Sequence, residues 1–329
     1  MTAIKKLLIV SVLLLGYTNC PAQRTYKANS VLATGNWYRF AVSAPGVYKI
    51  DLPFLASLGI NGPVNASQVR IFGNGGGMLP EASGEKPIDD LQENSIMVVD
   101  GGDGILNGSD YLLFFATGPH QWVKDSINQT FSHKKNIYSE RAFYYITVGG
   151  TGLRIPTQQS TPQAGTTVNS FSERFFHELD TVNFLASGKE WYGEEFSGAP
   201  GRTLVRTFSL PYQDWLPQQA SMVTNVAARS VNVPSRFALR INNLDLAQMN
   251  VPQISPAQYD LFAQEAWRMD QFLSPGGSTT ITFTYVPGSF NSQGWLNWFE
   301  YFGRRPLTLS QGSQTLFRDW NSVGSGAVE

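Results

Sequence analysis

Apolar and polar side chains alternate with a period of two along much of this chain. The apolar runs are short and are broken by Gly, Pro, Asn and Asp, which is the signature of strands joined by turns. Trp37, Arg39 and Ala41 alternate with Tyr38, Phe40 and Val42, and Ala44-Pro45-Gly46 turns that run into a second, Gly46–Ile50. Asp51-Leu52-Pro53 predicts a short helix through Leu58: Asp51 caps it, Pro53 suits its first turn and Gly59 stops it. Val69–Phe72, Asn94–Val99, Tyr111–Ala116 and Phe143–Val148 read as further strands. A second group follows at short intervals: Leu204–Leu210, Met222–Arg229, Arg236–Ile241, Thr279–Val286 and Leu296–Phe302. Within it Thr280, Thr282 and Thr284 share one face, as in an antiparallel sheet with one wet side. Ser255–Phe272 is ambiguous. Ser255-Pro256 with Gln258 has the form of a helix start, whereas the aromatic content suits two strands.

Between the two groups, residues 156–170 carry no large apolar side chain except Val168, which marks a linker or long loop. The pattern therefore predicts a mainly β protein of two consecutive antiparallel β-rich domains, residues 23–155 and 171–329, the second a β-sandwich.

Composition sharpens this picture at the N-terminus. Lys5 and Lys6 precede the apolar run Leu7–Leu15, which is too short to span a bilayer, so residues 1–22 read as a secretory signal cleaved after Ala22. The chain's one cysteine, Cys20, falls inside that signal. The exported protein then holds no thiol nucleophile, disulfide or thiolate metal site. Loss of Lys5 and Lys6, with no acid going alongside, takes the formal charge from −1 to −3. That balance argues against nucleic acid and against an anionic membrane surface.

Five segments invite a chemical reading. Gly73-Asn74-Gly75-Gly76-Gly77 has the look of a phosphate loop, but Met78-Leu79-Pro80 follows where a helix is needed, so it reads as a backbone turn. In Asp100–Asp110, alignment on Gly104 puts Asp103, Asn107 and Asp110 at calcium-loop positions. The first ligand position then falls on Val99, so a polar hairpin is favoured over calcium, and no other cofactor is indicated. Of the three histidines, His120 reads as a turn residue with a packed ring, His133 as part of a solvated stretch beside Lys134 and Lys135, and His177 as part of a strand. Glu190, Glu194 and Glu195 bracket Trp191-Tyr192. Two acids could serve a glycosidase, but residues so close in sequence suit a solvated acidic strand edge better. Trp191, Trp295 and Trp298 are candidate glycan or partner contacts. A regular strand would put Trp295 and Trp298 on opposite faces, leaving at least one in the core.

Several segments, taken in order, resemble the N-terminal region of the type IX secretion sortases, gingipain-type cysteine peptidases of Bacteroidetes. They are Trp37–Leu55, Val69–Pro80, Asp90–Asn94, Gly102–Trp122, Ser187–Phe196, Gly294–Leu307 and Phe317–Val328. Strand spacing and the resemblance together give a jelly-roll-like sandwich over 171–329, cut short at its C-terminal end. The resemblance also implies a downstream peptidase domain holding the catalytic Cys and His, with no catalytic position in this chain to carry over. It implies that the parent protein removes C-terminal sorting signals from exported cargo and joins the cargo to surface lipopolysaccharide. The implied location is the outer membrane of a Gram-negative bacterium, with an outer-membrane β-barrel and attachment-complex proteins as partners. A free-standing surface carbohydrate-binding protein is the alternative.

Overall fold

A computed structural model describes residues 26–159, 167–186, 188–309 and 313–322. Residues 1–22, read above as a secretory signal with Cys20, and the middle of the expected 156–170 linker lie outside the described residues. The chain forms two compact units. One comprises residues up to Pro119 together with Asn136–Pro156; the other comprises His120–Lys135 and everything from Thr157.

The first unit holds β1 (Tyr38–Val42), β2 (Gly46–Asp51), α1 (Leu52–Ser57), β3 (Val64–Asn65), β4 (Val69–Phe72), β5 (Glu93–Asn94), β6 (Met97–Val99), β7 (Ile105–Leu106) and β8 (Tyr111–Ala116). After β8 the chain enters the second unit as the hairpin β9 (Gln121–Asp125) and β10 (Thr130–Lys134), then returns as β11 (Ala142–Val148). Antiparallel sheets β1-β11-β4-β5 and β2-β8-β6 enclose a core that includes Ile50, Leu55, Ile71, Phe114 and Tyr144. The helix starts as its residues require. The Asp51 carboxylate accepts from the Phe54 amide at 3.1 Å, and Pro53 sits in the first turn. The segment Asn94–Val99, expected as one strand, divides between β5 and β6 in different sheets.

The second unit continues with β12 (Ser170–Glu178), β13 (Glu195–Ser197), β14 (Val205–Ser209), β15 (Gln219–Arg229), β16 (Ser235–Ile241), β17 (Leu244–Asp245), β18 (Met249–Val251), β19 (Gln264–Leu273), β20 (Thr280–Val286) and β21 (Gln293–Pro306). One sheet runs β12-β21-β15-β19, with β13 also on β21; the other runs β14-β20-β16, with β17 and β18 both on β16. With the short β13 and β17 set aside, the first, eighth, third and sixth strands face the second, seventh, fourth and fifth. This is the interleaving of a jelly roll. The core takes alternate residues from both sheets: Met222, Val226, Leu296, Phe299 and Tyr301 from one, Phe237, Leu239, Ile281, Phe283 and Tyr285 from the other. On β20, Ile281 and Phe283 are fully buried, while Thr282 points away and meets Thr207 across the ladder, hydroxyl to hydroxyl at 3.0 Å. The ambiguous Ser255–Phe272 resolves into a loop and then β19. Asp260 accepts from the Ser255 amide at 2.6 Å, closing a turn where a helix could have begun.

Candidate functional site

The inner face of the β12-β21-β15-β19 sheet is core, so its chemistry lies on the outer face. Register places Arg174, Phe176 and Glu178 of β12 on that side, beside Phe302, Glu300 and Trp298 of β21. Ser221, Val223 and Asn225 of β15 and Gln271, Met269 and Trp267 of β19 continue the row.

The hairpin of β9 and β10 covers the β12–β21 part of this face. The His133 ring stacks on Phe176 with centroids 3.8 Å apart, and Trp122 and Phe131 approach Phe302 at 6.3 and 6.4 Å. The Arg174 guanidinium lies 4.6 Å from the Trp122 ring centre and 4.5 Å from that of Phe131. This corrects the expectation of a solvated His133: burial, reinforced by His120 and by the charges of Arg174 and Lys135, lowers its pKa to about 4. Burial likewise lowers Arg174 to about 9. The segment expected in the N-terminal domain packs here because Trp122, Phe131 and His133 need an apolar surface, and Phe176 and Phe302 supply one.

Two carboxylates on this face are raised to about 7. Burial does this to Glu300 even though it accepts from the His133 amide at 2.5 Å. Burial also dominates at Glu178, where Asp180 and Glu190 push up and Lys135 pulls down. Paired groups that titrate near neutrality can mark function. Here the hairpin's backbone occupies Glu300, so the structural consequence is a hairpin seat whose charge depends on pH.

The three tryptophans separate according to a bulge in β21. Asn225 pairs with Trp298 and Val226 with Leu296, so Asn297 is the extra residue. The bulge returns Trp295 to the same face as Trp298, opposite the regular-strand expectation. Trp295 is nevertheless buried, beneath Phe184, Tyr192 and Phe262. Trp298 is half-buried and Trp191 is exposed in a loop. Asn297 donates to Glu190 at 2.9 Å, tying that loop to the bulge. The acids around Trp191 do not form one edge. Glu194 meets His177 at 2.8 Å, the Gln293 amide donates to Glu195 at 3.1 Å, and only Glu195 lies on a strand. Trp267, 70% exposed on β19, escaped the sequence reading, as did the hairpin. The two-residue spacing of Trp122 and Lys124, and of Phe131 and His133, either side of Asn128 is the signal for the hairpin.

In the first unit, the Asp103 carboxylate accepts from the Ile105 amide and the Asn107 side chain, and Asp110 accepts from the Asn107 amide at 2.9 Å. The loop's acids are thus bonded to its own donors. Among the described residues, no three His, Cys, Asp or Glu gather as metal ligands do. The glycine loop is a close-packed turn: a Cβ on Gly76 would collide with the Gly118 carbonyl and Pro119, and Gly77 has φ of 101°.

The class defined by this geometry is a two-unit β protein whose second unit is a jelly roll with a buttressed outer face. Among solved structures, dimeric latent PorU from Porphyromonas gingivalis matches with a TM-score of 0.69 and 22% identity, covering 89% of this chain and 26% of that one. The chain therefore has a PorU-like fold and spans about a quarter of the length of that protein. A carbohydrate-binding module, CBM36 in complex with calcium and xylotriose, covers 39% of this chain and 98% of that one at 11% identity. Its TM-score of 0.23 is too low to carry an argument. No family model matches the chain, and no curated protein matches it in sequence.

Proposed function

We propose that this chain is the non-catalytic, β-rich part of a PorU-like type IX secretion sortase. In that reading the longer parent cleaves C-terminal sorting signals from exported cargo and attaches the cargo to surface lipopolysaccharide at the outer membrane. The two units of this chain hold a downstream peptidase domain in place and contact an outer-membrane β-barrel and attachment-complex proteins. The observation that carries this reading is the fold match over 89% of the chain. The sequence agrees with it in one respect: the single cysteine lies in the leader, so any thiol nucleophile has to come from elsewhere in the parent.

The test is a chromosomal deletion of the codons for residues 26–322 in the source bacterium. Uncleaved cargo should accumulate inside the cell envelope, and surface cargo should be lost. The purified chain alone should leave a sorting-signal peptide uncut. Normal surface cargo in the deletion strain, or peptide cleavage by the isolated chain, overturns the reading.

A further inference from the structure

An open cleft of about 460 Å³ lies on the outer face of the jelly roll, between the turn joining β9 to β10 and strands β15 and β19. Its volume falls within the roughly 300–1,000 Å³ of small-ligand sites. Aromatic rings make one wall. Phe131 lies 6.4 Å from Phe302 and 5.1 Å from Trp320, at tilts of 36° and 33°, so the three form a continuous apolar surface.

Much of the rest of the lining is neutral and polar. Gln129, Gln219, Ser221, Gln271 and Asn321 face the cleft, and among the described residues none of these side chains bonds to another protein group. Each offers both a donor and an acceptor. The charged groups of the lining are already matched. Glu173 accepts from Arg305 and Arg318, while Arg304 donates to Asp319, Ser170 and Ser172. Lys124, outside the lining, stands over the Trp320 ring at 5.0 Å.

The rim is pre-organised. Asp125 accepts from the amides of Ile127 and Asn128 and from the Asn128 side chain, at 2.9, 3.1 and 2.7 Å. The turn places Gln129 at φ of 51°, a position that favours glycine. A glutamine there costs about 1 kcal/mol or more of backbone strain and gives the rim a polar side chain that glycine could not.

We propose that this cleft binds a neutral oligosaccharide. Sugar hydroxyls both donate and accept, matching the amide and hydroxyl groups of the rim, and the C–H faces of the rings suit the aromatic wall. An anionic ligand meets no unpaired cation in the lining. β15 and β21 are paired on both sides and offer no edge for strand addition, while β10 and β19 each keep one unpaired edge, which the peptide arm of the test addresses. The inference stands apart from the sortase reading, and a failed titration leaves the cargo experiment untouched.

The test is isothermal titration of the purified chain with neutral hexasaccharides of glucose, mannose, galactose and xylose, alongside a sulfated oligosaccharide and a Gly-Ser peptide. At least one neutral sugar should bind at millimolar Kd or tighter. Gln271→Ala and Gln129→Gly should each weaken it at least tenfold. Both residues are exposed, and near-UV circular dichroism verifies folding. Trp267→Ala, outside the lining, should leave binding unchanged. Absence of binding by every neutral sugar, binding of the sulfated sugar or the peptide alone, or affinity indifferent to Gln271→Ala and Gln129→Gly overturns the proposal.

Discussion

Glu300→Gln should make the jelly roll more stable at pH 8 and leave it unchanged at pH 4.5. Glu300 is 4% exposed, its pKa is raised by burial from 4.5 to about 7, and its one backbone partner is the His133 amide at 2.5 Å. Between those two values the unfolded chain has released the proton and the folded chain still holds it. The stabilisation is therefore complete below pH 4.5 and is lost as pH rises through 7. At about 1.4 kcal/mol per pH unit, the ceiling on the cost of the ionised form is ~3 kcal/mol. Water and side-chain relaxation around a carboxylate so near the hairpin rim reduces this to ~1–2 kcal/mol, or about 3–6 °C in Tm for a unit of this size. Glutamine keeps the acceptor for His133 and never ionises. Thermal melts of the parent and Glu300→Gln from pH 4.5 to 8 should therefore diverge with rising pH. Other titrating groups cancel in the difference, including Glu178, raised to about 7 on the same face. Parallel melting curves across the whole range would refute the assignment of that pH dependence to Glu300.

Trp295→Ala should cost about 3–5 kcal/mol in urea unfolding, because the ring is buried among Phe184, Tyr192 and Phe262. Trp267→Ala, 70% exposed, should stay within about 0.5 kcal/mol. Glu173→Gln should cost about 3 kcal/mol in the same assay, since it deprives Arg305 and Arg318 of a carboxylate at 3.1 and 3.0 Å with little solvent to replace it. Gly76→Ala should lower the melting temperature of the first unit by several degrees, because its methyl meets backbone at Gly118 and Pro119. Calcium should leave the melting temperature within about 1 °C, since Asp103 and Asp110 accept from their own loop; a rise that grows with calcium concentration would revive the ion-binding reading.

Local pattern reaches as far as local physics does. The alternation at Thr280–Val286 places Ile281 and Phe283 in the core unaided, and Asp51-Leu52-Pro53 starts a helix with its own cap and its own proline. Those outcomes rest on side-chain period and on hydrogen bonds between near neighbours. The sequence alone also puts its one cysteine at position 20 and spreads few charges over many aromatics, which points to a mainly β protein stabilised by burial. Three further outcomes needed partners far along the chain. Asn297 becomes a bulge only when β15 and β21 align, and that one extra residue moves Trp295 to the face of Trp298. His133, next to two lysines, becomes a half-buried, stacked ring only because Phe176 lies beneath it. The cleft exists only where a turn from one part of the chain meets strands from another, more than eighty residues on. Period-two reasoning assumes an unbroken ladder, and a side chain's sequence neighbours say little about the surface that will cover it. Register, burial and pKa therefore belong to the assembled sheet.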